Sequence, residues 1–321
     1  MTVTLDIPVD SARIAATQRV SFSRTVDRGL THHRSVSEVF VTDLVDVDED
    51  TFVAGAQLPR SHPYFLDPAA RYGALLLGEC SRQACTYLAH TRYAVPVGHA
   101  FLAVRTDFRL YDGPALGVGT RPAELAMVIR TRTEYRAGAL HLLRTRVDYV
   151  LDGEVVAHST GGGRYVPPAT YRYLRAGDRT DPLPSSDSLR RKGIPVPPAL
   201  VGRSDPRNVL LADAAPIDGG VTARVDVSGT HPTIFDHPQD HYPAMLLADA
   251  AAQAAVLAVN SPARVTRLET NFARYAELDA GLGVRARVED DGAGPVTVAV
   301  SFIQYGGPLA AVRVTLDGAG S

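Results

Sequence analysis

Two acidic residues, each followed four positions later by a glutamine, are best placed in this sequence to do chemistry. Glu79 and Gln83 stand at i and i+4 in LLLGECSRQA, with Arg82 at i+3, and Asp249 and Gln253 repeat the spacing in MLLADAAAQA. Residues three and four apart share one face of a helix. An acid inside an apolar helix is costly unless it is paired or protonated, so we expect burial to raise the pKa of such an acid towards the range of a general acid or base. The alternative is a structural carboxylate satisfied by Arg82 or by a helix N-terminus.

Histidines precede both of these segments, in loops that contain proline. His62-Pro63 returns as His231-Pro232, and His237 and His241 follow in the second copy. A histidine near a carboxylate is the minimal pair for proton transfer, although a loop histidine can also serve only as a hydrogen-bonding group. The candidate catalytic residues are therefore Glu79, Asp249, His62 and His231. The candidate substrate-binding residues are Arg82, Gln83, His237, His241 and Gln253.

A metal site is the alternative for the second group of histidines. His237 and His241, at i and i+4, could share a helical face with Asp240 nearby. Pro238 and Pro243 oppose a regular helix there, and the sequence has no further ligand cluster close by. Walker and Gly-x-Ser-x-Gly motifs are also missing. We therefore predict neither a metal nor a cofactor.

The sequence repeats itself about 170 residues apart, and this repeat must position the candidate residues. EVFVTDL (38–44) returns as NVLLADA (208–214), so that each copy runs strand, strand, His-Pro loop, helix and further strands. The predicted helices cover 72–93 and 242–259, and the second is rich in alanine on nearly all faces, as expected of a helix wrapped by a curved sheet. The predicted fold class is α+β, a tandem double hotdog in which each half is a curved antiparallel sheet wrapped round a central helix.

The repeat also sets the domain organisation. We predict an N-terminal arm at 1–30, a first hotdog domain at 31–166, a Pro-rich linker at 167–205 and a second hotdog domain at 206–321. The density of Pro and Ser in the linker favours extended chain. Two tandem copies satisfy the dimer contact internally, so a monomeric pseudo-dimer is expected, with a homodimer left open.

The totals exclude several classes of partner. The 33 basic and 35 acidic residues nearly balance and form no Lys/Arg-rich run, so we expect neither a nucleic-acid nor a membrane partner. The first residues lack the basic start and apolar core of a signal peptide. Cys80 and Cys85, five positions apart in one predicted helix, are unsuited to a disulfide. These features predict a cytoplasmic protein.

Four segments carry a resemblance to a known family. THHRSVSEVFVTD (31–43), GAQLPRSHPYF (55–65), LLLGECSRQA (75–84) and FDHPQDHYPAMLLADAAAQA (235–254) resemble, in order, the A-factor biosynthesis hotdog proteins of actinomycetes. The resemblance implies an acyltransferase that joins a β-ketoacyl group, delivered on acyl carrier protein or coenzyme A, to the hydroxyl of dihydroxyacetone phosphate. The ester would cyclise to a phosphorylated butenolide, leading to γ-butyrolactone, butenolide or furan signalling molecules.

The resemblance also implies roles for particular residues. The family's helix acids fall on Glu79 and Asp249, and its second-half arginine falls on Ala252. Loss of that guanidinium removes a bidentate anion clamp, so either Arg82 supplies the clamp or the second-half pocket is idle or repurposed. Glu79 would act as general base on the acceptor hydroxyl, with the thioester oxygen held by backbone N–H groups at the helix N-terminus.

Paired hotdogs usually take the histidine from one copy and the carboxylate from the other. By that analogy His231 or His237 would complete the site of Glu79, and His62 would face Asp249. Two rival functions remain. The first is a hotdog dehydratase or thioesterase acting on acyl thioesters, and the second is a non-catalytic protein that binds an acyl ligand.

Overall fold

The computed structural model describes residues 15–68, 70–177, 179, 181–290 and 294–318. The elements of the first half are β1 (Val41–Asp46), β2 (Thr51–Leu58), α1 (Ala74–Thr91), β3 (Ala100–Ala103), β4 (Thr106–Leu110), β5 (Ala123–Arg136), β6 (Ala139–Leu151) and β7 (Glu154–Val166). A short helix follows, α2 (Pro168–Ala176). The elements of the second half are β8 (Leu211–Ile217), β9 (Gly220–Val225), α3 (Ala244–Val259), β10 (Arg264–Phe272), β11 (Gly283–Asp290), β12 (Val296–Gln304) and β13 (Gly307–Asp317).

The strands of both halves join one antiparallel sheet. Its order is β1-β2-β5-β6-β7-β4-β10-β13-β12-β11-β9-β8, with β3 paired to β7. Read from either end, the order gives equivalent strands of the two copies, and the halves meet where β4 pairs with β10. The predicted tandem double hotdog is confirmed, with a pseudo-twofold axis at this pairing.

Each central helix is buried by the curved sheet of its own half. In α1 the fully buried side chains include Leu76, Leu77 and Leu88, and each contributes about 1.5–3 kcal/mol by leaving water. In α3 most of the surrounded positions are alanine, because a helix that packs on nearly every side has room only for small side chains. Cys80 and Cys85 of α1 are free thiols, as predicted.

The linker differs from the predicted extended chain, because it contains α2. Pro168 is tolerated in the first turn of a helix, where its missing N–H is not needed. Arg175 of α2 is buried, forms an ion pair with Glu277, and stacks 4.1 Å from the ring centroid of Tyr275. The prediction of extended chain was wrong here because these contacts come from residues about 100 positions away.

The described part of the predicted N-terminal arm packs against the sheet. Residues 1–14 lie outside the described residues, but Ala16 and Val20 are buried and pack beside Val53 and Val128. Among the described residues, no helix is both long enough and apolar enough to cross a membrane.

Candidate active site

In each half, the helix glutamine forms hydrogen bonds with the residues just before the first strand. The Gln83 amide donates to the carbonyl of residue 38 at 2.8 Å and accepts from the N–H of residue 40 at 2.9 Å. Gln253 makes the same two bonds, both 2.9 Å, to residues 208 and 210. Each amide also donates to its helix acid, at 2.9 Å for Gln83 and 3.2 Å for Gln253. Both glutamines therefore position the carboxylates, and their contact with substrate stays a prediction.

Glu79 is held by a cation of its own helix. Arg82 donates from Nε to Glu79 Oε2 at 2.8 Å and from Nη2 to Oε1 at 2.7 Å. His33 Nε2 lies 3.4 Å from Glu79 Oε1 and 3.3 Å from Arg82 Nη2. The Glu79 side chain is 8% exposed, whereas the Arg82 side chain is 35% exposed. This group is therefore open to solvent on the arginine side.

The pairing reverses the expected titration of Glu79. Burial disfavours the ionised carboxylate, but the charge of Arg82 and the contact with His33 outweigh burial, so the pKa of Glu79 lies well below its usual range. The prediction of a raised pKa was wrong, because Arg82 and His33 together outweigh burial. At neutral pH Glu79 is an ionised hydrogen-bond acceptor.

Asp249 sits in a closed cluster built from both halves. Arg203 Nη2 donates to Asp249 Oδ2 at 2.6 Å, and the Tyr64 hydroxyl donates to the same oxygen at 2.6 Å. Arg203 also donates to the Tyr64 carbonyl at 2.8 Å. Asp249 is 1% exposed, Arg203 9% and Tyr64 5%. Burial and the Asp249 charge raise the pKa of Tyr64, so its hydroxyl remains a donor.

Arg203 occupies the position in the second half that His33 occupies in the first. A short 3-10 turn at Arg28–Thr31 ends in the left-handed residue His32 (φ 60°), and the turn at Pro198–Val201 ends in Gly202 (φ 69°). The next residue of each copy, 33 or 203, contacts the helix acid. The guanidinium that Ala252 lacks is thus supplied from the segment before β8.

The His-Pro histidines contact their own halves. His62 Nε2 lies 3.5 Å from Glu38 Oε2, and His231 Nε2 lies 3.1 Å from Asn208 Oδ1. Burial lowers the pKa of His231 to about 4, although the charge of Asp249 opposes the shift. The predictions that His231 completes the Glu79 site and that His62 faces Asp249 were therefore wrong. Tyr64, two residues after His62, makes the contact across the halves.

His237 lies at the Glu79 side, as one of the two alternatives predicted. It follows Asp236, whose carboxylate accepts the backbone N–H groups of Arg34 and Ser35 in the other half, the latter at 2.9 Å. Burial and the charges of His33 and Arg34 lower the pKa of His237, and Asp236 opposes this only in part.

His241 lies in a different cluster. Its Nδ1 is 2.6 Å from Asp240 Oδ1, and its ring packs against Tyr275 beside α2. Over the described part of the chain, no group of three His, Cys, Asp or Glu side chains has a metal-binding arrangement. A cleft of about 650 Å³ lies between residues 21–27, β1 and Tyr87, and neither helix acid lines it.

The family comparison agrees with this two-part architecture. The model of the A-factor biosynthesis hotdog domain matches residues 14–167 and 185–317, one stretch in each half. The chain belongs to this family.

Relatives within the A-factor biosynthesis hotdog family align over most of the chain. Proteins of Streptomyces virginiae and Streptomyces coelicolor are 37% and 34% identical over 82% and 88% of this chain, covering 87% and 88% of their own lengths. A protein of Streptomyces griseus is 32% identical over 84% of this chain and 88% of its own length. All three are named 2-oxo-3-(phosphooxy)propyl 3-oxoalkanoate synthase.

A solved structure resembles the whole double hotdog. The pyran synthase domain from module nine of the sorangicin pathway superposes with a TM-score of 0.51 at 16% identity, over 88% of this chain and 98% of that domain. At this identity the likeness shows the fold alone.

Three residues of these sites were missed by sequence reasoning: His33, Tyr64 and Arg203. His33 stands in a segment quoted for the family resemblance, but its spacing from Glu79 carries no local pattern. Alignment of the two copies could have found Arg203, because THHR (31–34) and VGRS (201–204) are equivalent. Tyr64 has no such signal, since its contact crosses between halves.

Proposed function

We propose that this chain is a 2-oxo-3-(phosphooxy)propyl 3-oxoalkanoate synthase. That name describes the ester of a 3-oxoalkanoic acid with the hydroxyl of dihydroxyacetone phosphate. The observation that carries the proposal is the shared name of relatives that are 32–37% identical to this chain over most of its length. The donor is a β-ketoacyl thioester of acyl carrier protein or coenzyme A, and the acceptor is dihydroxyacetone phosphate.

We assign the reaction to the Glu79 side. Arg82 is 35% exposed there, whereas every member of the Asp249 cluster is almost fully buried. A substrate must reach the reacting groups, so the open site is the better candidate. No side chain caps the start of α1, which leaves first-turn N–H groups for the thioester carbonyl oxygen.

The chemical step is an acyl transfer. The acceptor hydroxyl oxygen attacks the thioester carbonyl carbon while its proton passes to His33 Nε2. The C–O bond forms, the tetrahedral intermediate collapses, the C–S bond breaks and the thiolate takes the proton from His33. Glu79, kept ionised by Arg82, lies 3.4 Å from the same Nε2 and would stabilise the positive charge that forms there.

The ester can then close a ring by its own chemistry. Its methylene lies between two carbonyl groups, so it can attack the ketone of the dihydroxyacetone unit. Loss of water gives the phosphorylated butenolide. This later step needs no further reactant.

Mass spectrometry of the purified protein with a β-ketoacyl thioester, with and without dihydroxyacetone phosphate, tests the function. We expect a phosphorylated ester or butenolide only when both substrates are present. Free acid or an enoyl thioester formed without the triose phosphate would instead identify a thioesterase or dehydratase. Binding of the acyl thioester without turnover in either mixture would support a ligand-binding protein.

The Glu79→Gln variant tests the assignment of the site. We expect kcat to fall about 10²- to 10⁴-fold, the usual range for loss of acid–base machinery. Glu289→Gln is a matched control, because Glu289 of β11 also pairs with an arginine, Arg313 of β13, at 2.6 Å. Wild-type turnover by Glu79→Gln would contradict the assignment.

A further inference from the structure

The open site carries more basic than acidic groups. Arg82 and His33 touch at 3.3 Å, and His32 lies beside them with its Nε2 2.9 Å from His90 Nε2. Burial and the positive charges of Arg82 and His237 lower the pKa of His32 to about 3. Burial is the larger cause of this shift, and the nearby basic groups add to it.

The two carboxylates near these groups are already engaged. Glu79 receives two hydrogen bonds from Arg82, and Asp236 accepts the backbone N–H groups of Arg34 and Ser35. The guanidinium of Arg34 is exposed and makes no ion pair with any residue that the structure describes. It is thus a cation available to a ligand.

His237 is tied to Arg34 through Asp236. Asp236 bonds the backbone of Arg34, and His237 is the next residue along the chain. His237 Nδ1 is buried without a hydrogen-bond partner among the described residues, and its closest carboxylate oxygen, on Asp236, is 3.6 Å away. The charge of Arg34 also acts on the His237 ring, so a cation from one half and an imidazole from the other lie near each other.

The second half lacks both groups at its equivalent place. Arg34 corresponds to Ser204, whose hydroxyl bonds Asp67. The residue that follows Asp67, as His237 follows Asp236, is Pro68, which has no basic group. The extra basic groups are thus confined to the side whose helix acid is accessible.

We infer that Arg34 and His237 bind a phosphate monoester, and that in the reaction they hold the phosphate of the acceptor. The inference rests on the proposed function for the identity of that phosphate. A guanidinium from one half and an imidazole from the other would hold the phosphate while the free hydroxyl of the triose reaches Glu79 and His33. The phosphate of the acyl carrier or of coenzyme A is the other source of the same chemistry.

The test compares dihydroxyacetone phosphate with dihydroxyacetone, which lacks the phosphate, in the wild type and in Arg34→Gln. We expect kcat/KM for the phosphorylated acceptor to fall about 10- to 100-fold in the variant, as for loss of one charge-assisted hydrogen bond. The value of kcat/KM for dihydroxyacetone should not change. His237→Gln should act in the same direction, and Arg136→Gln, at an exposed arginine that ends β5, is the control.

The choice of acyl donor distinguishes the phosphate of the acceptor from the phosphate of the donor. With an N-acetylcysteamine thioester, which carries no phosphate, the loss in Arg34→Gln should persist. A loss confined to coenzyme A or carrier-protein donors would overturn the inference, as would an unchanged preference for the phosphorylated acceptor. Calorimetric titration with dihydroxyacetone phosphate distinguishes the two proposals: Arg34-dependent binding without ester formation would reject the function but keep the site.

Discussion

The two helix acids occupy equivalent places but have opposite surroundings. Glu79 forms an ion pair with Arg82, whose side chain is 35% exposed. Asp249 forms an ion pair with Arg203 in the protein interior. A buried ion pair is strongly destabilised by removal of one partner, because the other charge stays buried and unpaired. Removing one partner of a solvent-exposed ion pair lowers the free energy of unfolding much less, since water then solvates the remaining charge.

Asp249→Asn should therefore act on stability. We expect the free energy of unfolding to fall by about 3–5 kcal/mol, because the Arg203 charge loses its partner. Replacing both members, as Asp249→Leu with Arg203→Met, should recover part of the loss. Urea denaturation followed by circular dichroism measures the free energy of unfolding of the single and double variants. The matched variant Glu79→Gln should lower this free energy less than Asp249→Asn does. A loss below about 1 kcal/mol in Asp249→Asn would contradict a sealed ion pair.

His231 should make the protein less stable in acid. Its pKa is lowered to about 4 in the folded state, so from about pH 6.5 downwards the unfolded chain binds a proton that the folded protein refuses. The contribution of His231 to the free energy of unfolding has its full value above about pH 6.5. It decreases as the pH falls to about 4, by on the order of 3 kcal/mol.

The variant His231→Gln checks this dependence. Its plot of unfolding free energy against pH should be shallower between pH 6.5 and 4 than that of the wild type, although His32 and Glu79 leave some slope. His241→Gln is the control, because that ring is 27% exposed and lies beside α2. Equal slopes in the His231→Gln variant and the wild type would refute the assignment.

How much of the site could be predicted depends on whether its contacts are local. The spacing within one helix gave Glu79, Arg82 and Gln83 as neighbours, and their hydrogen bonds agree. The direction of the Glu79 pKa shift was missed, because it depends on the strength of the Arg82 pairing rather than on burial. Arg203 was missed because it approaches Asp249 from a segment 46 residues away.

At the scale of elements, the glutamines join each helix to the first strand of its half. Gln83→Leu would leave the N–H of Phe40 and the carbonyl of Glu38 unsatisfied in a buried place. Each such group costs about 1–3 kcal/mol, so we expect a loss of about 2–6 kcal/mol. Gln253→Leu should cost a similar amount, since its two bonds are equivalent.

Activity should separate this pair of variants. Gln83 also bonds Glu79, so at a temperature where both variants are folded, Gln83→Leu should lower kcat more than Gln253→Leu. Thermal denaturation gives the stabilities, and the ester-forming assay gives kcat. Equal kcat values in the two folded variants would argue against a single working half-site.

The elements themselves were largely predictable. The repeat placed the first helix at 72–93 and the second at 242–259, and the observed helices are Ala74–Thr91 and Ala244–Val259. Strong periodicity and bounding prolines act locally, so a sequence can report them. The helix α2 was not predictable in this way, because Arg175 gains its partner Glu277 only in the folded chain.

At the scale of the whole molecule, contacts at the central strand pair, in the His-Pro loops and around Asp249 join the halves. The strands β4 and β10 pair at the centre of the sheet, where Thr106 and Thr270 hydroxyls lie 2.6 Å apart and Arg267 pairs with Asp107 at 2.7 Å. The His-Pro loops add a reciprocal exchange, because Asp67 accepts N–H groups of Ser204 and Asp205 while Asp236 accepts those of Arg34 and Ser35. The second half does not complete its helix-acid site alone, because Tyr64 of the first half donates to Asp249.

We therefore expect the halves to unfold together. Differential scanning calorimetry should give one transition whose calorimetric and van't Hoff enthalpies agree, because opening either half breaks the central strand pair and exposes the other half's site. Asp67→Ala, which removes one half of the reciprocal exchange, should lower the midpoint while keeping a single transition. The exposed Asp317→Ala at the end of β13 is the control and should leave the midpoint unchanged. Two resolved transitions in the wild type would mean that each hotdog is stable by itself, and the buried cluster of Tyr64, Arg203 and Asp249 would then be too weak to couple them.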